Sequence, residues 1–294
     1  MNFNKKNNEI IERTAPSPTG GLHIGHVYSV LTAYENARQN HGLFKLRIED
    51  IDFNRCKLDF EKEIIANLSW LGVSWNGKIM RQRNRKKYYL SAITQLMNEG
   101  LLYPCSCTRA DIKKVLAAPH PNEKLDQIYP GTCRGRQPTK PIQALRLNIA
   151  KAKKIYSKQK LYFIESGHST NYSLEDRVIT MESLENQFGD VIIARSDINT
   201  SYNLAVVLDD ASQKITHVTR GDDLLAVTPI QVLLQKLLSL PTPIYHHHKL
   251  LYDASGKKIS KRSSNETVSS LKAEGISAEE VIHRAFSQSE RIIK

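Results

Sequence analysis

The sequence predicts an α/β fold: a doubly wound parallel sheet, interrupted by one small α+β insertion and closed by a short helical C-terminal segment. Three observations carry that expectation. Near the N-terminus a strand, a breaker-rich turn, a helix and a second strand follow one another, and such a βαβ unit implies a parallel sheet. From residue 101 to about 190 a proline- and cysteine-rich stretch with short alternating runs replaces that pattern. The α/β pattern then returns from Tyr202. At 294 residues, 40% of them hydrophobic, the chain is long enough for one elaborated domain or two modest ones and can bury a real core.

The first strand is read at 10–14, followed by the turn Ala15-Pro16-Ser17-Pro18-Thr19-Gly20-Gly21. A helix starts near His26, with Val27, Val30, Leu31 and Tyr34 at helical spacing. Residues 44–48 alternate like a strand and run into the acidic Glu49-Asp50-Ile51-Asp52. Residues 59–72 and 84–99 read as amphipathic helices, the second stopped by Gly100. Within 101–190 the prolines Pro104, Pro119, Pro121, Pro130, Pro138 and Pro141 gather beside the cysteines, which suggests an insertion with its own small fold. The pattern resumes over 202–208 and 215–218, with a helix over 228–239. A polar loop over 253–262 precedes one or two short C-terminal helices. The expected division is therefore 1–100 and 191–245 for the two halves of the α/β domain, 101–190 for the insertion and 246–294 for the loop and final helices. The triple histidine at 246–248 is internal and too short to be a purification tag.

The formal net charge of +12, with basic runs at 81–87 and 151–154, raises the expectation of a polyanionic partner such as nucleic acid. No stretch approaches the roughly 18 consecutive apolar residues of a membrane helix. The first eight residues lack the apolar core of a secretory signal, so a cytoplasmic protein is expected. Cys105, Cys107 and Cys133 crowd into one region, whereas Cys56 stands apart and is expected only to pack. Clustered cysteines without an export signal point toward metal rather than a disulfide framework.

The strongest chemical signal is Pro16-Ser17-Pro18-Thr19-Gly20-Gly21-Leu22-His23-Ile24-Gly25-His26, set between a strand and a helix. A helix N-terminus already favours an anion, and His23 and His26 can donate to phosphate oxygens there. Gly25 leaves room for a nucleotide to lie close to the backbone. Two histidines three apart would, in isolation, merely share a helix face; the Pro-Ser-Pro-Thr-Gly lead-in gives them meaning. This passage resembles the HIGH signature of class I aminoacyl-tRNA synthetases, and Lys258-Ile259-Ser260-Lys261-Arg262 resembles their KMSKS loop. The resemblance implies a Rossmann-like catalytic domain that binds ATP through His23, Gly25, His26, Lys258, Ser260 and Lys261. His23, His26 and Lys261 are the expected catalytic groups, stabilising charge as the α-phosphate is attacked with Mg²⁺ on the phosphates.

Three further blocks narrow the resemblance to the bacterial glutamyl-tRNA synthetases. Arg13-Thr14-Ala15-Pro16-Ser17-Pro18-Thr19-Gly20 is similar to their R-F-A-P-S-P-T-G opening, with Thr14 in place of phenylalanine. Residues 47–55 match R-I-E-D-x-D-x-x-R, and 202–210 with 215–221 match a third block. Glutamate carries two carboxylates and one ammonium, so Arg13 and Arg220 suit the carboxylates and Glu49 the amine. Tyr202 and Ser17 can complete the hydrogen bonding, with Thr14, Ala15 and Pro16 on the same segment; which arginine takes which carboxylate stays open. Alone, Arg47, Glu49 and Asp50 would read as a surface ion-pair network.

Only about one helical hairpin's worth of chain follows Arg262, so no anticodon-binding domain is expected. In this the sequence resembles the shortened glutamyl-queuosine tRNA(Asp) synthetase group of that family. The resemblance implies a monomeric ligase that activates L-glutamate as its adenylate without tRNA and passes it to queuosine in the tRNA(Asp) anticodon. It also implies one structural Zn²⁺ in the insertion, because that group carries a C-x-C…Y-x-x-x-C site which Cys105, Cys107, Tyr129 and Cys133 fit. Tyrosine is an uncommon zinc donor, so water or His120 stay open as the fourth ligand. A glutamyl-tRNA synthetase charging a tRNA 3′ end and a non-catalytic tRNA-binding module are the competing functions.

Overall fold

The computed structural model describes residues 9–108, 110–112, 128–129, 131–156, 160–166, 174–252 and 266–290. The expectations placed on Lys258, Ser260, Lys261 and His120 therefore lie outside the described residues.

The N-terminal half is built on β1 (Ile11–Thr14), β2 (Leu43–Ile48) and β3 (Met80–Arg81), parallel in the order β1-β2-β3. Helix α1 (Ile24–Gln39) crosses from β1 to β2, and α2 (Leu58–Trp70) from β2 toward β3. The apolar stripe Val27, Val30, Leu31, Ala33 and Ala37 buries α1 against the sheet. The chain returns to β2 through His41 and Gly42, where a Cβ on Gly42 would lie 2.2 Å from the Ile10 carbonyl oxygen. No side chain fits that approach.

Beyond α3 (Lys86–Asn98), the strands β4 (Leu102–Cys105), β5 (Ala144–Leu147) and β8 (Ile192–Arg195) form an antiparallel sheet, with α4 (Ile149–Tyr156) after β5. Strands β6 (Leu161–Glu165) and β7 (Glu175–Ile179) join β9 (His217–Gly221) and β10 (Ile244–His248) in a second sheet of order β7-β6-β10-β9. Here β10 runs parallel to both β6 and β9, and β7 closes the edge antiparallel. Helices α5 (Met181–Phe188), α6 (Tyr202–Ser212) and α7 (Thr228–Leu237) pack around these strands, and α8 (Val268–Ala273) and α9 (Ala278–Glu290) follow.

The segment 101–190 is thus not closed on itself, as the division at those boundaries supposed. Its β6 pairs with β10, and Leu102, Leu147, Ile149 and Leu184 share one hydrophobic core with Leu204, Val218 and Leu233. A second core gathers α1, β2 and α2 with Val268, Leu271, Val281 and Ala285 of the C-terminal helices.

Strands β1 and β9 run side by side across a seam held by a few bonds instead of a regular ladder. Thr216 N donates to Ile11 O at 3.0 Å, Ile11 N to Thr216 Oγ1 at 2.8 Å, and Thr219 Oγ1 to Glu12 Oε1 at 2.7 Å. The chain leaves β1 toward β2 on one side and meets β9 and β10 on the other. Such a reversal opens a crevice at the carboxyl ends of the strands.

The basic run at 81–87 is largely neutralised from within. Arg81 pairs with Glu61 at 2.6 Å, Arg83 with Asp50 at 2.7 Å, and Arg85 with the buried Asp209 at 2.5 Å. These arginines fasten α3 and its approach to α2 and α6. No helix among the described residues is long and apolar enough to cross a membrane.

Candidate active site

A cavity of about 400 Å³ opens where the crevice meets the N-terminus of α1. Its walls come from the ends of β1 and β9, the start of α1, Glu49 after β2, Tyr202 at the start of α6, and the chain leaving β10. Thr14, Ala15 and Pro16 line it as β1 runs out into the turn. That turn is pinned from outside: Glu49 N donates to Pro16 O at 3.0 Å and Lys57 N to Pro18 O at 2.9 Å. Ser17 does not line the cavity; its carbonyl accepts Thr19 N at 2.8 Å inside the turn.

On the helix side, His23, Gly25 and His26 face the cavity together. The two imidazole centroids lie 3.7 Å apart. His23 N donates to His26 Nδ1 at 3.1 Å, which places the proton of a neutral His26 on Nε2. Positive dipole and ring donor therefore coincide at one end of the cavity.

The described flanks of the segment 253–265 both reach this end. Leu250 and Leu251 line the cavity, and Val268 N donates to the carbonyl of the lining residue Leu22 at 2.7 Å.

The opposite end is charged. Arg13 Nε meets Asp210 Oδ1 at 3.3 Å, and its Nη1 donates to Thr219 O at 3.2 Å. Arg47, wholly buried, donates to the same Asp210 oxygen at 2.7 Å and to Glu49 Oε1 at 3.2 Å. Arg47 and Glu49 thus form an interior pair and not a surface one, whereas the buried Asp50 pairs separately with Arg83. Burial pushes the Asp210 carboxyl up, but the Arg47 and Arg13 charges outweigh it and hold it below the usual range. Burial also acts on Glu49; Arg47 and Arg13 offset it only in part, and its pKa stays raised. Burial and the Glu49 charge raise the Tyr202 phenol, which keeps its proton as a donor. Burial holds His248, another lining residue, down at about 4, so its ring is neutral at physiological pH.

Arg220 is fixed differently. Its Nε donates to His247 Nε2 at 3.1 Å, Nη1 to Gln231 Oε1 at 2.9 Å, and Nη2 to Thr228 Oγ1 at 2.8 Å. A guanidinium carries five N–H groups, so this leaves one on each Nη, the pair that matches a carboxylate. Among the described residues no carboxylate forms an ion pair with Arg220.

The cysteine cluster stands apart from this cavity. The sulfurs of Cys105, Cys107 and Cys133 lie within 4.8 Å of one another, and Tyr129 Oη is 3.4 Å and 3.6 Å from the first two. Zinc–sulfur bonds of about 2.3 Å in a tetrahedron set sulfurs about 3.8 Å apart, so the set fits that ion. Although burial opposes ionisation, hydrogen bonds led by Tyr129 hold the Cys133 thiol down at about 6. Burial raises Cys107 to about 11. Cys56 sits elsewhere, with Sγ 3.8 Å from Glu49 O.

A helix N-terminus with paired imidazoles thus faces two buried arginines and a carboxylate across a strand-order reversal. The family model described as tRNA synthetases class I (E and Q), catalytic domain, matches residues 9–286. The chain belongs to this family. It is accordingly a ligase of the aminoacyl-tRNA synthetase type. Among curated relatives of this synthetase family, the Glutamyl-Q tRNA(Asp) synthetase of Rhodobacter capsulatus is 42% identical over 92% of this chain and 98% of its own length. The protein of that name from Cupriavidus metallidurans is 38% identical over 87% of this chain and 78% of its own. Two solved glutamate–tRNA ligases, from Elizabethkingia meningosepticum and Elizabethkingia anophelis, superimpose with TM-scores of 0.67 and 0.68. Each is 24% identical over 87% of this chain, a likeness of fold. The chain spans about half of either, 52% and 53%.

Sequence reading passed over several residues that build this synthetase site. In the sequence Asp210 stands inside the matched block 202–210 with no role of its own, and Glu165, Thr228, Gln231, His247 and His248 carry no motif. Two adjacent acids ending an apolar helix, and a histidine run inside a strand, were the available signals.

Proposed function

We propose that the chain activates L-glutamate with ATP, without requiring tRNA, and transfers it to queuosine at the wobble position of the tRNA(Asp) anticodon. One arrangement carries this reading. Arg13 and Arg220 face one cavity with Glu49, two cations and an acid that complement two carboxylates and an ammonium, beside His23, Gly25 and His26 at the α1 N-terminus. The name shared by these relatives, one of them matched over 98% of its length, supports glutamate and tRNA(Asp).

The α-carboxylate oxygen of glutamate attacks the α-phosphorus, an O–P bond forms, and pyrophosphate departs with the electrons of the bond that breaks. His23 and His26 stabilise the developing charge by donation, and Lys261 is assigned to the same phosphate from the segment 253–265. A queuosine hydroxyl then attacks the mixed anhydride and AMP leaves. Positioning and charge supply the rate, with no covalent enzyme intermediate. Mg²⁺ accompanies ATP as its counter-ion and is assigned no residue. Cys105, Cys107, Cys133 and Tyr129 would hold one Zn²⁺, which when bound supplies a cross-link at the base of β4, remote from the reacting atoms.

The test is glutamate-dependent ATP–pyrophosphate exchange without tRNA, followed by transfer of labelled glutamate to tRNA(Asp). Exchange is expected, with label on tRNA(Asp) that contains queuosine even after its 3′-terminal adenosine is removed. Label that ignores queuosine and vanishes with that adenosine would mean charging of a 3′ end. Absence of exchange would reduce the chain to a binding module.

A further inference from the structure

Behind Arg220 lies a buried relay. His247, on β10, is wholly buried between Glu165 on β6 and Arg220 on β9. Its backbone N–H donates to Glu165 Oε1 at 2.9 Å, and its Nδ1 lies 2.6 Å from Glu165 Oε2. On the far side, Arg220 donates its Nε–H to His247 Nε2 at 3.1 Å. Arginine cannot accept, so Nε2 presents a lone pair and the single ring proton sits on Nδ1, where Glu165 receives it. Thr228 meets the same nitrogen: its Oγ1 lies 3.1 Å from Nε2, where its hydroxyl can donate to that lone pair, while it accepts from Arg220 Nη2 at 2.8 Å. Burial pushes Glu165 up, but the two bonds from His247 outweigh it and keep it an ionised acceptor. Tyr245 stacks on the ring at 5.7 Å between centroids, and His246 and His248 flank it on the strand.

A buried carboxylate–imidazole pair costs desolvation that apolar side chains would avoid, so packing alone does not account for it. We propose that Glu165 and His247 are positioning residues for amino-acid binding. By holding the ring proton on Nδ1, Glu165 leaves Nε2 to fix the rotation of the Arg220 guanidinium and aim its two remaining N–H groups at a substrate carboxylate. The inference rests on the glutamate-activation reading.

Glu165→Gln tests it with little change of volume. The backbone N–H of His247 still needs an acceptor, so the amide oxygen stays there and the amide NH₂ meets Nδ1. The ring must then carry its proton on Nε2, donor against donor at Arg220. The expected result is a KM for glutamate in ATP–pyrophosphate exchange raised about tenfold or more, the KM for ATP unchanged and kcat altered less. An unchanged glutamate KM in a folded variant, or equal rises for both substrates, would overturn the proposal. Nitrogen-15 NMR of ring-labelled wild-type protein needs no variant: the His247 proton is expected on Nδ1, and finding it on Nε2 overturns the proposal as well. Wild-type protein that fails to exchange would instead refute glutamate activation, and the NMR result would still report the relay.

Discussion

Glu49 shows how one residue answers two demands. Buried beside Arg47 and Arg13, it keeps a raised pKa, yet only its ionised form can pair with an ammonium group. Glu49→Gln should therefore raise the KM for glutamate about 10- to 100-fold, the worth of one charge-assisted bond, and leave that for ATP nearly unchanged. For the wild type, the glutamate KM should climb as pH falls toward the Glu49 pKa, beginning above the range where ordinary carboxylates titrate. Exchange kinetics across an acidic pH series check both outcomes. Arg13, Glu49 and Arg220 were legible because each stands in a motif of recognisable spacing. Arg47 was visible only as a charge, since sequence supplies residue type and not depth. Glu165 and His247 were illegible for another reason: they meet across a separation of 82 residues, and the histidine run at 246–248 does not say which of its members has a partner there.

Elements whose signal is local were read well. The stripe of α1, the alternation of β2 and the stop of α3 at Gly100 all follow from neighbours within a few residues. The run 204–208 is continuously apolar and could suit strand or helix by periodicity alone; Ser201, whose hydroxyl accepts Leu204 N at 3.4 Å, starts it as a helix. The boundary at 190 was not readable, because the partner of β6 is β10, beyond any window of periodicity. The cysteine site spans two elements, β4 and the turn at 131–134. If it holds zinc, Cys105→Ser or Cys133→Ser should lower bound zinc toward zero and lower the temperature at which this sheet unfolds, read by metal analysis and thermal denaturation. Undiminished zinc in both variants would remove the site.

Across the whole molecule, Asp210 ties the halves together. Standing on α6, it receives Arg13 from β1 and Arg47 from β2, while its neighbour Asp209 receives Gln82, Arg85 and Tyr89 from the α3 side. Asp210→Ala would strand two buried guanidinium groups, and a loss of about 3–5 kcal/mol is expected in urea unfolding. Because the folded pKa of Asp210 lies below its ordinary value, its contribution is complete above the usual carboxylate range and fades as pH falls through the folded pKa. Urea midpoints of wild type and variant should accordingly converge on acidification. Arg220 makes no direct ion pair among the described residues; neutral acceptors hold it, and the nearest acids act on it only at one remove. Two of its N–H groups are left for the carboxylate of the proposed amino-acid substrate. Part of this protein's thermodynamic resilience is then on loan from its surroundings, growing with the logarithm of the free amino-acid concentration once that exceeds the dissociation constant.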